Sequence, residues 1–287
     1  MKEEFNNSAA DRIEGLFARL RKVPEGEAVV IFLEKNGVKI DLQEDPVDWA
    51  ASTATITNVI DGHYSYINPK IILKAGLSDD NLLQAMIHET EHLNQHLSGV
   101  GNPDRILSQE EYILFYRAAE ADAQAVCTDI SWRLKQSGDA GPWNEARNVG
   151  FANVCDAFER MALADPASLE DGRARRVAFD AWFDEPERLA GYNKATVENM
   201  IPFLARGREI FSRHNMSEAP LDNDWVDKMD ALANQPYLKL MGYDSLLRND
   251  KYRKDLDTRP IGAAPKPPNE GNENAISVKG VKPPQAA

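Results

Sequence analysis

The hydrophobic pattern of the chain changes at Pro69, and this change constrains the fold more than any other feature. Before it, apolar and β-branched residues form two runs, residues 27–42 and 53–69, interrupted by Asn-Gly and Asp-Gly respectively. Such dipeptides between β-rich runs are typical of hairpins. After Pro69 the apolar residues follow the helical period. The pattern predicts an α+β fold, with a small antiparallel sheet of about four strands followed by a mostly helical C-terminal half.

The same pattern divides the chain into four parts. Residues 1–26 contain a short amphipathic helix and form an N-terminal extension, and residues 27–136 form the core. Residues 137–257 are predicted to be a helical part of the same domain. Residues 258–287 are rich in Pro, Gly and Asn and contain no aromatic residue. That composition is typical of a disordered tail.

Composition argues against several partners. The net charge of −13 over 287 residues disfavours nucleic acid and anionic membranes, because both attract basic surfaces. The chain has no apolar run of about 18 residues and no apolar signal-peptide segment near its start. Two cysteines, Cys127 and Cys155, are too few for a disulfide framework and favour a reducing compartment. We therefore expect a cytoplasmic protein, whose oligomeric state the sequence leaves open.

The first long helix carries the pattern that indicates chemistry. Ser78 is a favourable N-cap, and the helix is predicted to run to about Leu97, before the breaker run SGVGNP. It contains HETEH, in which His88 and His92 lie four residues apart, so that their rings can bind one ion. Glu89 follows the first histidine, where its carboxylate can act as general base toward a water that zinc activates. The spacing predicts a catalytic zinc site.

The remaining polar residues of this helix are weaker candidates. The histidines lie beside the apolar arc of a helical wheel with ~100° per residue, where a partly dry metal site belongs. His96 continues their row, but Cβ atoms eight residues apart on a helix are separated by ~12 Å. Three such histidines therefore cannot bind one ion. The longer metzincin motif is excluded because position 95 is Gln and position 98 is Ser, and we expect Glu91 to be a solvated charge.

A third ligand is predicted on the next helix, residues 109–136, which follows a capping box of Ser108 and Glu111. Glu120 lies inside the apolar arc of this helix, whereas Asp122 lies on its flank. An ionised carboxylate on a buried face is costly unless it is paired or bound to metal. Glu120 is therefore the predicted ligand. Asp122 is an alternative ligand, or a group that orients a ligand histidine through its N–H.

A purely structural interpretation is also open. His88 and His92 would then pair with acidic residues of their own helix, while Glu120 would form a salt bridge with Arg117. We favour the metal site, because the motif, the helix caps, the wheel positions and the buried acid would otherwise coincide by chance.

The HETEH motif, the strand-rich segment before it and the EADA sequence after it resemble a gluzincin-type zinc metallopeptidase. More closely, they resemble a bacterial family of uncharacterised metallopeptidases. The resemblance covers residues 27–135 well and implies a zincin core, in which the last strand of a small sheet borders the cleft. By this resemblance His88, His92 and Glu120 would bind zinc. Glu89 would act as general base. One departure is that a common gluzincin pattern has Glu four residues before the Asp of AD, where this chain has Ala.

Peptidases of this type also need a hydrogen-bond donor to the oxyanion. The candidates are Tyr192, His214, and Tyr64 or Tyr66 on the strand before the motif. Each could equally be a packed aromatic or a surface residue. Tyr192 is the leading candidate, because it follows Gly191 and lies near an aromatic cluster in the sequence.

Three functions are therefore open. The first is an active zinc metallopeptidase that hydrolyses a peptide or protein substrate. The second is a zincin-fold sensor, or a regulatory module for a single substrate, with little general proteolytic activity. The third is a non-catalytic helical interaction protein. Metal content separates the third from the others, and cleavage of a peptide library separates the first from the second. We predict the first.

Overall fold

Helices make up most of the structure, and three strands form a small sheet between the second and third helices. The computed structural model describes residues 2–44, 51–60, 63–100, 107–196, 220–232, 236–241 and 246–256. Within these ranges, side chains are described except for residues 2–8, 51–60, 63–68 and 241. The predicted C-terminal tail lies outside the described residues, and the predicted domain boundaries stay predictions.

The described elements begin with two helices, continue with the three strands, and then consist of helices up to residue 253. They are α1 (Lys2–Leu20), α2 (Pro24–Lys35), β1 (Lys39–Gln43), β2 (Ala51–Ile60), β3 (His63–Lys74), α3 (Asp79–Leu97), α4 (Gln109–Gln136), α5 (Gly141–Ala146), α6 (Ala152–Ala164), α7 (Ser168–Asp171), α8 (Arg173–Trp182), α9 (Pro186–Ala195), α10 (Asn223–Leu232) and α11 (Asp250–Arg253). A π-helical turn (Arg147–Phe151) joins α5 to α6, and a 3-10 turn (Leu238–Met241) follows α10.

The segment that was predicted as the first hairpin is largely a helix. α2 begins at Pro24, whose fixed φ suits the first helical position, and Lys35 in its last turn complements the helix dipole. Val29, Val30 and Leu33 are buried in a cluster with residues of α1 and α3. A short apolar run does not distinguish a buried helix from a strand by its period alone. The hairpin prediction was therefore wrong, because tertiary packing overrides the β propensity of this run.

The sheet is mixed, with the strand order β1-β3-β2. β2 and β3 pair antiparallel along the second predicted hairpin, with Ala51 opposite Leu73. β1 instead runs parallel to β3, with Ile40 opposite Ile71. The prediction of a purely antiparallel sheet of about four strands was wrong, because β1 is parallel to β3 and the described sheet has three strands. Because α2 replaces the expected partner of β1, this strand pairs with the edge of β3 that β2 leaves open.

The two helices that carry the candidate ligands begin and end where the sequence predicts. Ser78 Oγ accepts a hydrogen bond of 3.2 Å from the Asn81 N–H, and α3 ends at Leu97. Ser108 Oγ accepts one of 3.2 Å from the Glu111 N–H at the start of α4. Each cap satisfies one of the N–H groups that lack an intrahelical partner.

α4 lies at the centre of the structure, because it contributes to both buried clusters. Val126 and Ile130 belong to the cluster formed with α1, α2, β3 and α3. Ala118, Ala121 and Trp132 belong to the cluster formed with the later helices. Among the described residues, no helix combines the length and apolar character that a membrane span requires.

Candidate metal centre

The structure brings together the three residues that the sequence predicts as ligands. His88 Nε2 lies 3.0 Å from His92 Nε2 and 3.2 Å from Glu120 Oε2. His92 Nε2 lies 3.2 Å from Glu120 Oε1. The histidine pair follows from the four-residue spacing on α3, and the close packing of α4 supplies the carboxylate. All three side chains are partly buried.

These distances fit a tetrahedral zinc site. Zinc binds histidine nitrogen and carboxylate oxygen at about 2.0–2.2 Å, so adjacent ligands of a tetrahedral ion are about 3.3 Å apart. The observed separations of 3.0 and 3.2 Å therefore leave room for such an ion between the three side chains. Within the described part of the chain, this trio is the cluster whose donor atoms could hold a metal, all of them lying within 4.8 Å of one another.

The electrostatic environment of the trio also favours a cation. Burial would raise the pKa of Glu120, but His92 and His88 outweigh it and hold this pKa well below its ordinary value. Glu120 is therefore ionised. Burial would lower the pKa of His92, but the carboxylates of Glu120 and Glu89 outweigh it and raise this pKa.

Arg117 does not take the place that the purely structural interpretation gives it. Its guanidinium donates to Lys254 O at 2.7 Å, to Tyr252 O at 3.2 Å and to Asn193 Oδ1 at 2.6 Å. These contacts connect α4 to α9 and to the C-terminal segment rather than to Glu120.

Glu89, the predicted general base, lies on α3 between His88 and His92. Its side chain is 8 % exposed. Its negative charge contributes to the raised pKa of His92 and of Tyr192, so the carboxylate lies close to the ligand trio. This position suits a group that exchanges a proton beside the metal.

Tyr192 also lies at the site. Its hydroxyl donates a hydrogen bond of 2.9 Å to Glu120 Oε2, and its ring centroid lies 5.0 Å from that of Trp182. Burial raises its pKa, so the phenol is a neutral donor. The structure thus shows contact with a ligand, and the oxyanion role stays a prediction. The side chains of Tyr64 and Tyr66, and the whole of His214, lie outside the described residues.

Asp122, the alternative ligand, lies behind the trio. Its Oδ2 accepts a hydrogen bond of 2.8 Å from Gln95 Nε2, and its Oδ1 accepts one from the hydroxyl of Tyr237. Gln95 Oε1 in turn faces His92 Nδ1 at 3.0 Å. Sequence reasoning considered position 95 only as a departure from the metzincin spacing and did not consider Tyr237. The contact between Asp122 and a histidine, expected to be direct, passes through Gln95.

Glu91 and His96 are two further polar residues of α3 that lie outside the ligand trio. Glu91 is partly buried and accepts a hydrogen bond of 3.2 Å from Asn94 Nδ2. Burial, and then the charge of Asp122, raise its pKa to about 8, so the expectation of a solvated charge was wrong. His96 is also partly buried, which lowers its pKa, and it lies outside the trio.

Residues 43–237 match a protein family described as "Putative metallopeptidase family (DUF6782)". The match covers more than half of the chain, and the chain belongs to this family. Membership in a metallopeptidase family implies a metal cofactor, and the matched region contains His88, His92, Glu120 and both tyrosines of the site. No curated protein and no solved structure is significantly similar to the chain.

Proposed function

We propose that the protein is a zinc-dependent peptidase of the gluzincin type. His88, His92 and Glu120 bind the metal in this proposal, and Glu89 is the general base. The observation that carries it is the distance of 3.0 Å between the two Nε2 atoms, each of which lies 3.2 Å from one of the two oxygens of Glu120. These distances are close to the separation of about 3.3 Å between the ligands of a tetrahedral zinc ion. The packing of α3 against β2 and β3 supports a zincin core.

Zinc, when bound, supplies Lewis-acid chemistry: it lowers the pKa of water to about 7 and polarises a carbonyl. The chain supplies the proton transfers and the orientation. Glu89 accepts a proton from the attacking water and delivers it to the leaving amine. The burial of this carboxylate keeps bulk water away from the transfer.

Tyr192 fixes the third ligand and is the proposed donor to the oxyanion. Its hydroxyl holds Glu120 Oε2, which leaves Oε1 beside His92. The phenol keeps its proton because burial raises its pKa. The hydroxyl has a single hydrogen, which Glu120 accepts in this structure. Donation to the carbonyl oxygen of a peptide substrate would therefore require the hydroxyl to exchange Glu120 for the oxyanion, whose developing charge a neutral donor can stabilise.

Replacement of Glu89 by Gln tests the proposal. We expect Glu89→Gln to bind zinc like the parent and to hydrolyse peptides more slowly by a factor of about 10²–10⁴, because an amide cannot accept the proton. The matched control is Glu91→Gln on the same helix. Glu91 lies outside the ligand trio, burial raises its pKa, and the neutral amide has nearly the same shape as its carboxyl group. This variant should keep the activity.

Each outcome has a distinct meaning. Undiminished hydrolysis by Glu89→Gln would show that another group is the base. A parent that binds zinc stoichiometrically but cleaves nothing in a broad peptide library would favour the sensor or single-substrate function. A parent that takes up no zinc after reconstitution would refute the metal centre itself.

A further inference from the structure

The hydrogen bonds of Gln95 determine how its amide is oriented. This side chain is 2 % exposed, and its Nε2 donates to Ala119 O at 3.0 Å and to Asp122 Oδ2 at 2.8 Å. Both N–H groups of the amide are thereby used. The atom that faces His92 Nδ1 at 3.0 Å is therefore the carbonyl oxygen Oε1.

This orientation determines the tautomer of His92. A carbonyl oxygen only accepts hydrogen bonds, so His92 Nδ1 must carry a hydrogen and donate it to Gln95. In the neutral ring the lone pair then lies on Nε2, the atom that faces His88 and Glu120. Metal binding by histidine requires this lone pair, and the partner of the other nitrogen selects it.

Asp122, which accepts a hydrogen bond from Gln95, also accepts one from a residue of the C-terminal half. Asp122 is 2 % exposed and accepts the hydroxyl of Tyr237 at its second oxygen. The backbone N–H groups of Tyr237 and Leu238 donate to Asp230 Oδ1 at 2.5 and 2.6 Å, which fixes this segment. An unbroken set of buried hydrogen bonds thus extends from Asp230 to the ligand His92.

We propose that Gln95 is a positioning residue of the metal centre, holding His92 in the tautomer whose Nε2 binds the metal, while Asp122 and Tyr237 hold Gln95. The inference rests on the proposed function, because it assigns the groups behind one of the proposed ligands. The neutral amide orients the ring without placing a negative charge against its Nδ1. The carboxyl group of Asp122 stays one residue further away, where burial raises its pKa and the hydrogen bonds from Tyr237 and Gln95 act against this rise.

Zinc affinity distinguishes positioning from a mere link between α3 and α4. We expect Gln95→Met, which keeps the shape and removes the hydrogen bonds, to weaken zinc binding about 10–100-fold in a chelator competition. The visible absorption of the cobalt-substituted protein should also change, because the geometry of one ligand changes. The matched control is Gln124→Met, another buried glutamine, whose Nε2 bonds to Thr128 Oγ1 at 3.5 Å. It should leave the affinity and the spectrum unchanged.

Tyr237→Phe provides a second measurement if Gln95→Met does not fold. This variant removes one hydroxyl, keeps the ring, and should weaken zinc binding in the same direction by a smaller factor. The inference would be overturned if folded Gln95→Met bound zinc with the affinity of the parent and had an unchanged cobalt spectrum. If Gln95→Met does not fold, the same result for Tyr237→Phe would overturn it. A parent protein that binds no zinc would instead overturn the proposed function, and this inference with it.

Discussion

Zinc should raise the melting temperature of the protein, and His88→Ala should abolish that rise. The donor atoms already lie 3.0–3.2 Å apart, so little binding energy is spent on rearranging them. A ligand that binds only the folded state, at a free concentration 1,000-fold above its Kd, stabilises that state by about 4.1 kcal/mol. For a domain of about 150–250 residues, each kcal/mol shifts the melting temperature by about 2–4 °C. The expected rise is therefore about 8–16 °C.

Calorimetry of the parent and two variants, each with chelator and with zinc, would measure this rise. His88→Ala removes one of three donors and should melt at nearly the same temperature under both conditions. His96→Ala is the matched control, because it is the same substitution on the same helix, at a partly buried position outside the ligand trio. It should keep the full zinc-dependent rise.

Two results would refute this reasoning. A parent whose melting temperature does not respond to zinc would show that the trio is an ion-paired cluster without a metal function. A rise that persists in His88→Ala and disappears in His96→Ala would place the metal elsewhere on α3.

Two further predictions concern stability away from the metal. Arg117→Met should lower the free energy of unfolding by about 1–3 kcal/mol, measured by urea denaturation, because it leaves the buried carbonyl of Tyr252 without its donor and also removes the hydrogen bond to Lys254 O. Asp139→Asn should destabilise the protein near pH 7 but reduce its loss of stability between about pH 5 and pH 2. The hydrogen-bonded ion pair with Arg19, at 2.8 Å, lowers the pKa of Asp139. This carboxylate therefore stabilises the folded protein at pH values above its pKa in the unfolded chain. The stabilisation is lost as the pH falls through its lower pKa in the folded protein. An unchanged acid limb in thermal melts would contradict this assignment.

The sequence predicted the two helices that carry the proposed ligands well, because the signals for their ends are local. The caps at Ser78 and Ser108 and the breaker run after Leu97 define helix ends without any knowledge of the rest of the fold. The spacing of His88 and His92 likewise acts within a single turn of helix. Such features depend on a few neighbouring residues, which the sequence displays directly.

The features that the sequence did not predict depend on packing between residues that are far apart in the chain. The run from residue 24 to residue 35 is helical because α1 and α3 bury its apolar face, and no local period reveals that. A helical wheel turns Glu91 outward, but it does not show that Asp122 and Arg175 lie close enough to affect the carboxylate. Gln95 carries no charge and matches no ligand pattern, so only its hydrogen-bond partners reveal its role.

The two tyrosines of the site show that the C-terminal half contributes side chains to it. Tyr192 on α9 holds Glu120, and Tyr237 after α10 holds Asp122, so each carboxylate that α4 directs toward α3 receives a phenol from later in the chain. A core that ended at residue 136 would keep all three proposed ligands and lose both of these donors. The family match runs from residue 43 to residue 237 and therefore includes both tyrosines, whereas it leaves out α1 and α2. We therefore expect that a unit able to bind metal at this site must include the later helices as well as the sheet, α3 and α4.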